Sequence, residues 1–258
     1  MRKIIRRIFD ILYILIFALL PINTRFSLKF WLILRDILNT VHPESDSLFQ
    51  QYNIKVSNAD SLVIPELRKV LNNDTLGVWS LDEKTICILW DKLFRQKPAL
   101  ILECGAGVST LTFARYASLS PLSGGGYPHV ITIEQSGDVK ASVEKRLKEH
   151  DLFQYVCILH VPVHDGNYQV KNSELQDSLK GKLADWLVID GPFGEAGCRI
   201  TTLPSLQYYC KHHATWFLDD ALRDGELEAL KSWSKIRGVC VSGIYAVGKG
   251  LACGSFYK

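Results

Sequence analysis

The chain has 258 residues, 47% of them apolar and 22% charged, which suits one globular α/β domain with an extension and excludes two large domains. The net charge of +3 is too small to indicate a nucleic-acid-binding protein, so no nucleic-acid partner is expected. The seven cysteines are odd in number and include no CxxC pair, which predicts reduced thiols in the core and no zinc site.

The first forty residues are apolar and basic. Residues 11–20 are apolar without a break, and a second apolar stretch covers 26–38, but both are shorter than the roughly 20 residues that a membrane-spanning helix needs. Basic residues precede the first run, at Arg2, Lys3, Arg6 and Arg7. We therefore predict that residues 1–40 are helical and lie on a membrane surface, with the following domain in the cytoplasm. The alternatives are a short signal-anchor with a lumenal domain, and a helical hairpin packed on the rest of the chain or on a membrane-protein partner.

Residues 41–98 are predicted to form a linker and outer helices. Within them, residues 82–94 carry apolar side chains at helical spacing, which predicts an amphipathic helix. Ser80 is expected to cap this helix, with Glu83 three residues on completing a capping box. A loop is expected at residues 120–126, which are rich in serine and glycine.

From residue 99 to 258, short apolar runs alternate with helical patterns. The predicted strands are 99–103, 129–134, 156–163, 184–190, 215–219, 239–247 and 251–257, and the predicted helices are 109–117, 139–150, 199–212 and 224–236. This alternation, ending in a hairpin, predicts an α/β domain with a doubly wound, mostly parallel seven-stranded sheet and an antiparallel last strand. Ligands of such sheets bind at the carboxyl ends of the strands.

The first strand of this unit ends in a glycine turn. The sequence from Glu103 to Thr110 is Glu-Cys-Gly-Ala-Gly-Val-Ser-Thr, and a helix is predicted directly after it. Glycines allow the backbone to approach a ligand closely, and the helix N-terminus offers unpaired N–H groups. The second strand ends in Glu134 and Gln135, where a carboxylate can accept hydrogen bonds from both hydroxyls of a ribose.

Residues 102–110 resemble the first motif of class I S-adenosylmethionine-dependent methyltransferases, in which an acidic residue precedes a GxG turn. Glu134 matches the acidic residue that ends the second strand in that family, and the antiparallel last strand is a further family feature. A dinucleotide-binding domain would show a third glycine where this chain has Thr110. The resemblance covers residues 77–258 and implies a methyltransferase with a Rossmann-like fold that uses S-adenosyl-L-methionine.

The resemblance also implies which residues bind the cofactor. Asp165 follows the third strand, where the family often has a polar residue near the adenine amine; a solvated loop carboxylate is the alternative. The implied set is Glu103, Gly105, Ala106, Gly107, Ser109, Thr110, Glu134, Gln135 and Asp165.

Three aspartates follow the fourth and fifth predicted strands: Asp190, Asp219 and Asp220. They resemble the metal site of catechol-type O-methyltransferases, which bind Mg²⁺ through one aspartate after the fourth strand and an Asp-Asn pair after the fifth. Here the pair is Asp-Asp. The resemblance implies that these three residues are catalytic and hold Mg²⁺ or Mn²⁺, since such cations prefer oxygen ligands. Capping of the next helix by Asp219 or Asp220 is the alternative.

The run Asp-Gly-Pro-Phe-Gly from Asp190, followed by Arg199, also resembles the glucuronoxylan 4-O-methyltransferase family and related bacterial polysaccharide methyltransferases. This resemblance implies a saccharide hydroxyl as acceptor, with Arg199 binding a substrate carboxylate; pairing of Arg199 with Asp190 or Glu195 is the alternative. A small phenol, a lipid or a protein could also accept the methyl group, and His164 or the pair His212-His213 could act as the base. A catalytically degenerate scaffold in a membrane complex is the non-enzymatic alternative.

Overall fold

The computed structural model describes residues 64–71, 80–195, 197–245 and 247–257. The predicted membrane-associating segment at 1–40 and most of the predicted linker lie outside the described residues. Within the described residues, no helix combines the length and the apolar character needed to cross a membrane.

Seven α-helices and nine strands make up the described part of the chain. The helices are α1 (Pro65–Arg68), α2 (Glu83–Gln96), α3 (Val108–Leu119), α4 (Gly137–Glu149), α5 (Asn172–Leu179), α6 (Thr202–Leu206) and α7 (Asp224–Trp233). The strands are β1 (Leu100–Cys104), β2 (His129–Glu134), β3 (Val156–His160), β4 (Val163–His164), β5 (Asn167–Tyr168), β6 (Ala184–Ile189), β7 (Cys210–Asp219), β8 (Val239–Tyr245) and β9 (Leu251–Phe256).

Seven of the strands form one sheet in the order β3-β2-β1-β6-β7-β9-β8. Strand β9 runs antiparallel to both of its neighbours, and the other pairs are parallel. The predicted seven-stranded, mostly parallel sheet with an antiparallel last strand is thus confirmed. The strand order changes direction between β1 and β6, so the crevice where doubly wound sheets bind ligands lies at the ends of these two strands.

The sheet is covered on both faces, and the alternation of side chains along β1 shows how. Ile101 belongs to an apolar cluster with helices α1 to α4, whereas Leu100 and Leu102 belong to a second cluster with α5, α6 and α7. Successive side chains of a strand point to opposite faces, so an uninterrupted apolar run produces a strand buried on both sides. Residues at or just after the ends of such strands are therefore positioned by a sheet that is buried on both faces.

Helix α2 begins one residue after its N-cap, Asp82. The Asp82 carboxylate accepts hydrogen bonds from the backbone N–H groups of Lys84 (3.0 Å) and Thr85 (3.3 Å). The predicted cap at Ser80 is therefore wrong by two residues. A carboxylate in this position satisfies N–H groups that the first helical turn leaves without partners.

The predicted elements differ most from the structure at residues 156–163 and 199–219, and one helix was not predicted. The strand expected over 156–163 ends at His160, because Pro162 has no N–H group to continue the ladder. The helix expected over 199–212 is limited to α6 and a following 3₁₀ turn, because Cys210 already pairs with Ala184 of β6. Helix α5 is largely polar and occupies a stretch for which no element was predicted.

Candidate active site

A cavity of about 350 Å³ lies at the carboxyl ends of β2, β1, β6 and β7. Its walls come from the segments that follow these four strands, and they include the following sequence-predicted residues: Gly105, Ala106, Glu134, Gln135, Asp190, Arg199, Asp219 and Asp220. A larger groove of about 650 Å³ lies at the amino ends of β6 and β7, but it contains no sequence-predicted site residue. The smaller cavity is therefore the candidate active site.

The glycine turn after β1 packs directly against the backbone that follows β6. Gly105 has a φ of +95°, and a Cβ added to it would lie 3.2 Å from the carbonyl carbon of Asp190 and from the nitrogen of Gly191. Only glycine adopts this conformation readily and also leaves room for the second chain segment. The turn thus brings its backbone into the cavity beside Asp190.

Glu134 closes the other side of this turn. Its Oε2 accepts a hydrogen bond from the Ala106 N–H (2.7 Å), and its Oε1 accepts one from the Ser136 N–H (2.7 Å). The side chain is buried at the cavity wall. Each carboxylate oxygen can accept a second hydrogen bond, so Glu134 retains acceptor capacity for a ligand diol.

Gln135 links the end of β2 to the loop after β6. Its side-chain Nε2 donates to the Phe193 carbonyl (3.1 Å), and its Oε1 accepts from the Phe193 N–H (2.7 Å). The predicted cofactor residue Gln135 therefore lines the cavity and holds the Phe193 loop beside it.

Five of the predicted cofactor residues do not line the cavity: Asp165, and four residues at the glycine turn, Glu103, Gly107, Ser109 and Thr110. The buried Glu103 Oε2 accepts hydrogen bonds from the hydroxyls of Thr110 (2.7 Å) and Thr132 (2.8 Å), and Thr110 Oγ1 accepts one from the Gly107 N–H (3.0 Å). Burial raises the pKa of Glu103 to about 7, and hydrogen bonds, including one with Ser109, oppose the rise. This network lies behind the turn and fixes its shape.

Asp165 lies outside the cavity, on the turn between β4 and β5. Its side chain is 86% exposed and lies 3.0 Å from His164 Nδ1. The structure thus matches the solvated-loop alternative rather than an adenine contact. His212 and His213 lie at the amino end of β7, at the opposite edge of the sheet, and neither they nor His164 line the cavity.

The three predicted aspartates meet at one point of the cavity wall. Asp190, Asp219 and Asp220 each place an oxygen within 4.8 Å of the others. Burial, together with the neighbouring carboxylates, raises the pKa of Asp219 well above its usual value. Burial also raises the pKa of Asp190 to about 6, with Arg199 opposing the rise. Asp190 and Asp219 therefore hold protons more tightly than exposed aspartates, because burial and adjacent negative charges disfavour ionisation.

Arg199 is the buried cation that balances this cluster. Its guanidinium lies 3.3 Å from Asp190 Oδ1, 3.5 Å from Asp220 Oδ2 and donates to the Asp219 carbonyl (3.0 Å). Its Nε lies 3.8 Å from Glu226 on α7. Of the two interpretations of Arg199, the structure shows the pairing with Asp190. A substrate carboxylate would have to displace one of these contacts.

The aspartates match a divalent cation in donor type and spacing but not in electrostatic surroundings. Asp220 is already paired with Arg223 (2.9 Å), Arg199 (3.5 Å) and Lys249 (3.8 Å). Three protein cations thus supply the charge that a metal ion would bring, and they repel a further dication. The residues present do not fit the predicted Mg²⁺ or Mn²⁺ site.

Comparisons with known proteins identify the fold. No family model and no curated protein sequence matches the chain. Solved structures do match. A methyltransferase from Geobacter sulfurreducens is 19% identical, with 84% of this chain and 98% of that chain covered and a TM-score of 0.53. An O-methyltransferase from Bacillus cereus in complex with SAH is 15% identical, with 81% and 97% of the two chains covered and a TM-score of 0.55, and the O-methyltransferase TomG from Streptomyces achromogenes in complex with SAM is 15% identical, with 82% and 96% covered and a TM-score of 0.53. The chain has the class I methyltransferase fold. At these identities the likeness establishes the fold alone.

Several residues at the cavity of this methyltransferase fold were not predicted from the sequence. Tyr168 places its hydroxyl where a Cβ on Gly191 would lie, so that position has space only for glycine. Arg223 and Lys249 line the cavity beside Asp220. The Gly-Pro dipeptide after Asp190 signals a close approach at Gly191, but no local pattern distinguishes Tyr168, Arg223 or Lys249 from ordinary surface residues.

Proposed function

We propose that this protein is an S-adenosylmethionine-dependent O-methyltransferase. The observation that carries the proposal is that three features share one cavity: the carboxylate of Glu134, which can accept ribose hydroxyls, the close-approach glycine turn at Gly105, and the partly buried carboxylate of Asp190. The fold supports it, because the similar O-methyltransferases from Bacillus cereus and Streptomyces achromogenes are complexed with SAH and SAM.

The order of the strands orients the cofactor. Glu134 ends β2, Gly105 follows β1 and Asp190 follows β6, so the three groups lie in a row along one edge of the sheet. With the ribose hydroxyls on Glu134, the methionyl half extends past Gly105 and brings the sulfonium towards Asp190. The acceptor then enters from the side of β7.

The reaction is an in-line displacement at the methyl carbon. The acceptor oxygen forms the new C–O bond while the C–S bond breaks, and S-adenosylhomocysteine leaves with the electron pair of that bond. The hydroxyl proton passes to Asp190, which is ionised at neutral pH and whose pKa, raised to about 6, suits a general base. The remaining contribution is the alignment of the three reacting atoms.

We further propose that the methyl acceptor is a saccharide hydroxyl and that the protein acts at a membrane surface. The run Asp190-Gly-Pro-Phe-Gly with Arg199 supports the first, through its likeness to polysaccharide methyltransferases. The basic, apolar residues 1–40 support the second, and this location keeps the domain on the cytoplasmic side.

Isothermal titration with S-adenosylhomocysteine tests the proposed function. The wild type should bind it equally well in EDTA and in Mg²⁺, since the cluster is neutralised by protein cations. Glu134→Gln should weaken binding by about tenfold or more, because hydrogen bonds to a charged group contribute roughly 1.5–3 kcal/mol. Glu149→Gln, on the exposed end of α4, is the matched control and should leave the affinity unchanged. Folded wild-type protein that releases no heat in either buffer would favour the scaffold alternative.

A further inference from the structure

The end of the cavity beyond Asp190 exposes two cations and hides the carboxylate that pairs with them. The side chains of Arg223 and Lys249 are 45% and 42% exposed, whereas that of Asp220 is 7% exposed. Arg223 begins α7 as its N-cap, and Lys249 lies in the turn between β8 and β9. A ligand that enters from this side therefore meets positive charge first.

The two cations are held in place by the loop that carries Asp220. Asp220 Oδ2 lies 2.9 Å from Arg223 Nη1, and Oδ1 lies 3.8 Å from Lys249 Nζ. The backbone reinforces this arrangement, because the Leu222 N–H donates to the Lys249 carbonyl (2.9 Å) and the Arg223 N–H donates to the Asp220 carbonyl (2.9 Å). Cations fixed in this way lose little further conformational entropy when they bind an anion.

The carboxylates around these two cations are less exposed than the cations themselves. The buried Arg199 is already shared between Asp190, Asp220 and Glu226, and Asp219 lies inward at the end of β7. Asp220 contacts both Arg223 (2.9 Å) and Lys249 (3.8 Å), and its side chain is only 7% exposed. The half-exposed ends of the two cations are therefore more accessible from the cavity than this carboxylate.

We infer that the methyl acceptor carries an anionic group, a carboxylate or a phosphate, which binds to Arg223 and Lys249 while its hydroxyl lies at Asp190. This rests on the proposed function, which places the adenosine at Glu134 and leaves the β7 side to the acceptor. Arginine suits the role because its planar guanidinium offers several donors to an oxyanion besides the one that faces Asp220.

Anion binding by the full chain saturated with S-adenosylhomocysteine tests the inference. Inorganic phosphate and acetate are titrated separately, so that the two arms distinguish a phosphate-bearing from a carboxylate-bearing acceptor. The wild type should bind at least one of them, and Arg223→Gln and Lys249→Gln should each weaken that binding by about tenfold, as expected for loss of one charge-assisted contact. Lys231→Gln, exposed on the same helix α7, should leave binding unchanged, and Arg223→Lys should retain part of it.

Three outcomes overturn the inference: no binding of either anion, equal anion affinity in both variants and the wild type, or a loss of cofactor rather than anion affinity. The last is detected by titrating each variant with S-adenosylhomocysteine and with 5′-methylthioadenosine, which lacks the amino-acid carboxylate. If only the former weakens, the cations bind the cofactor. A wild type that binds no S-adenosylhomocysteine contradicts the proposed function, whereas cofactor binding without anion binding contradicts this inference alone.

Discussion

Two glutamates contact opposite sides of the same glycine turn and have different roles. Glu134 accepts the Ala106 N–H at the cavity wall, whereas Glu103 accepts the hydroxyls of Thr110 and Thr132 behind the turn. Glu134 lines the cavity, whereas Glu103 does not. Glu103 is fully buried, and burial raises its pKa from 4.5 to about 7, which makes ionisation of this residue a cost to the folded state.

Replacement of Glu103 by Gln should remove that cost. Below pH 4.5 the wild-type side chain is protonated in both folded and unfolded states; between 4.5 and about 7 only the unfolded chain releases the proton, so wild-type stability falls as pH rises. Relative to the wild type, Glu103→Gln should gain on the order of 3 kcal/mol in unfolding free energy between pH 4.5 and pH 8. Urea denaturation at several pH values measures the difference.

The exposed Glu149→Gln variant is the control for this series, and its stability relative to the wild type should not vary with pH in this way. A Glu103→Gln difference that stays constant from pH 4.5 to 8 would mean that Glu103 ionises normally in the folded protein.

At the residue scale, the sequence predicts acidic groups that end strands, because strand ends converge on one edge of the sheet. Glu134 and Asp190 are of this kind. Arg223 and Lys249 could not be predicted, because their position depends on the pairing of the loop after β7 with the distant turn between β8 and β9. Asp165 shows the reverse error: its place in the sequence suits the cofactor site, but the hairpin of β4 and β5 turns it outward.

Among the strands, β9 is the one with the tightest steric requirement. It lies inside the sheet between β7 and β8, and its Gly254 passes directly over Trp216. A Cβ on Gly254 would lie 2.2 Å from Trp216 Cζ2 and 2.0 Å from the Cys240 carbonyl oxygen. Trp216 cannot yield easily, since it is fully buried and packs edge-on against Trp233 at 5.7 Å.

Gly254→Ala should therefore destabilise the protein by about 1–3 kcal/mol or more, the usual effect of overpacking a core. Thermal unfolding followed by circular dichroism measures the change as a lower melting temperature. Gly124→Ala is the matched control, since an added Cβ there meets nothing within 4 Å. Equal melting temperatures for the two variants would mean that β9 can shift away from Trp216.

Elements with a strong hydrophobic pattern could be predicted, and those set by tertiary contacts could not. Strand β2 has the predicted bounds of 129–134, because its apolar run is buried on both faces of the sheet. Residues 207–212 carry a helical pattern, yet from Cys210 they join β7, since pairing with β6 outweighs local propensity. The polar helix α5 gives no comparable signal.

For the whole molecule, the sheet topology follows from the alternation of strands and helices along the chain, because right-handed crossovers and short connections leave few other ways to arrange these strands. That argument also brings Asp190, Asp219 and Asp220 to one edge. It says nothing about the charge balance at this edge, which depends on where Arg199 and Arg223 pack, and so the position of Arg223 beside Asp220 could not be predicted.

Membrane attachment, proposed from residues 1–40, is a property of the full chain. Basic residues close to an anionic bilayer contribute about 1 kcal/mol each. Replacement of Arg2, Lys3, Arg6 and Arg7 by glutamine should therefore reduce binding to vesicles rich in phosphatidylserine by about a hundredfold or more in a flotation assay. Raising the salt concentration should weaken wild-type binding in the same direction, because the attraction is screened within a Debye length.

A variant that loses four exposed lysines of the folded domain, Lys145, Lys171, Lys182 and Lys231, has the same net charge and separates local attachment from general attraction. It should float as the wild type does. An equal loss in both variants, or a wild type that does not float, would contradict attachment through residues 1–40. Wild-type protein that stays with cell membranes in alkaline carbonate would instead favour the signal-anchor, because a peripheral helix held by charge and a shallow apolar face is released when the headgroup contacts are lost.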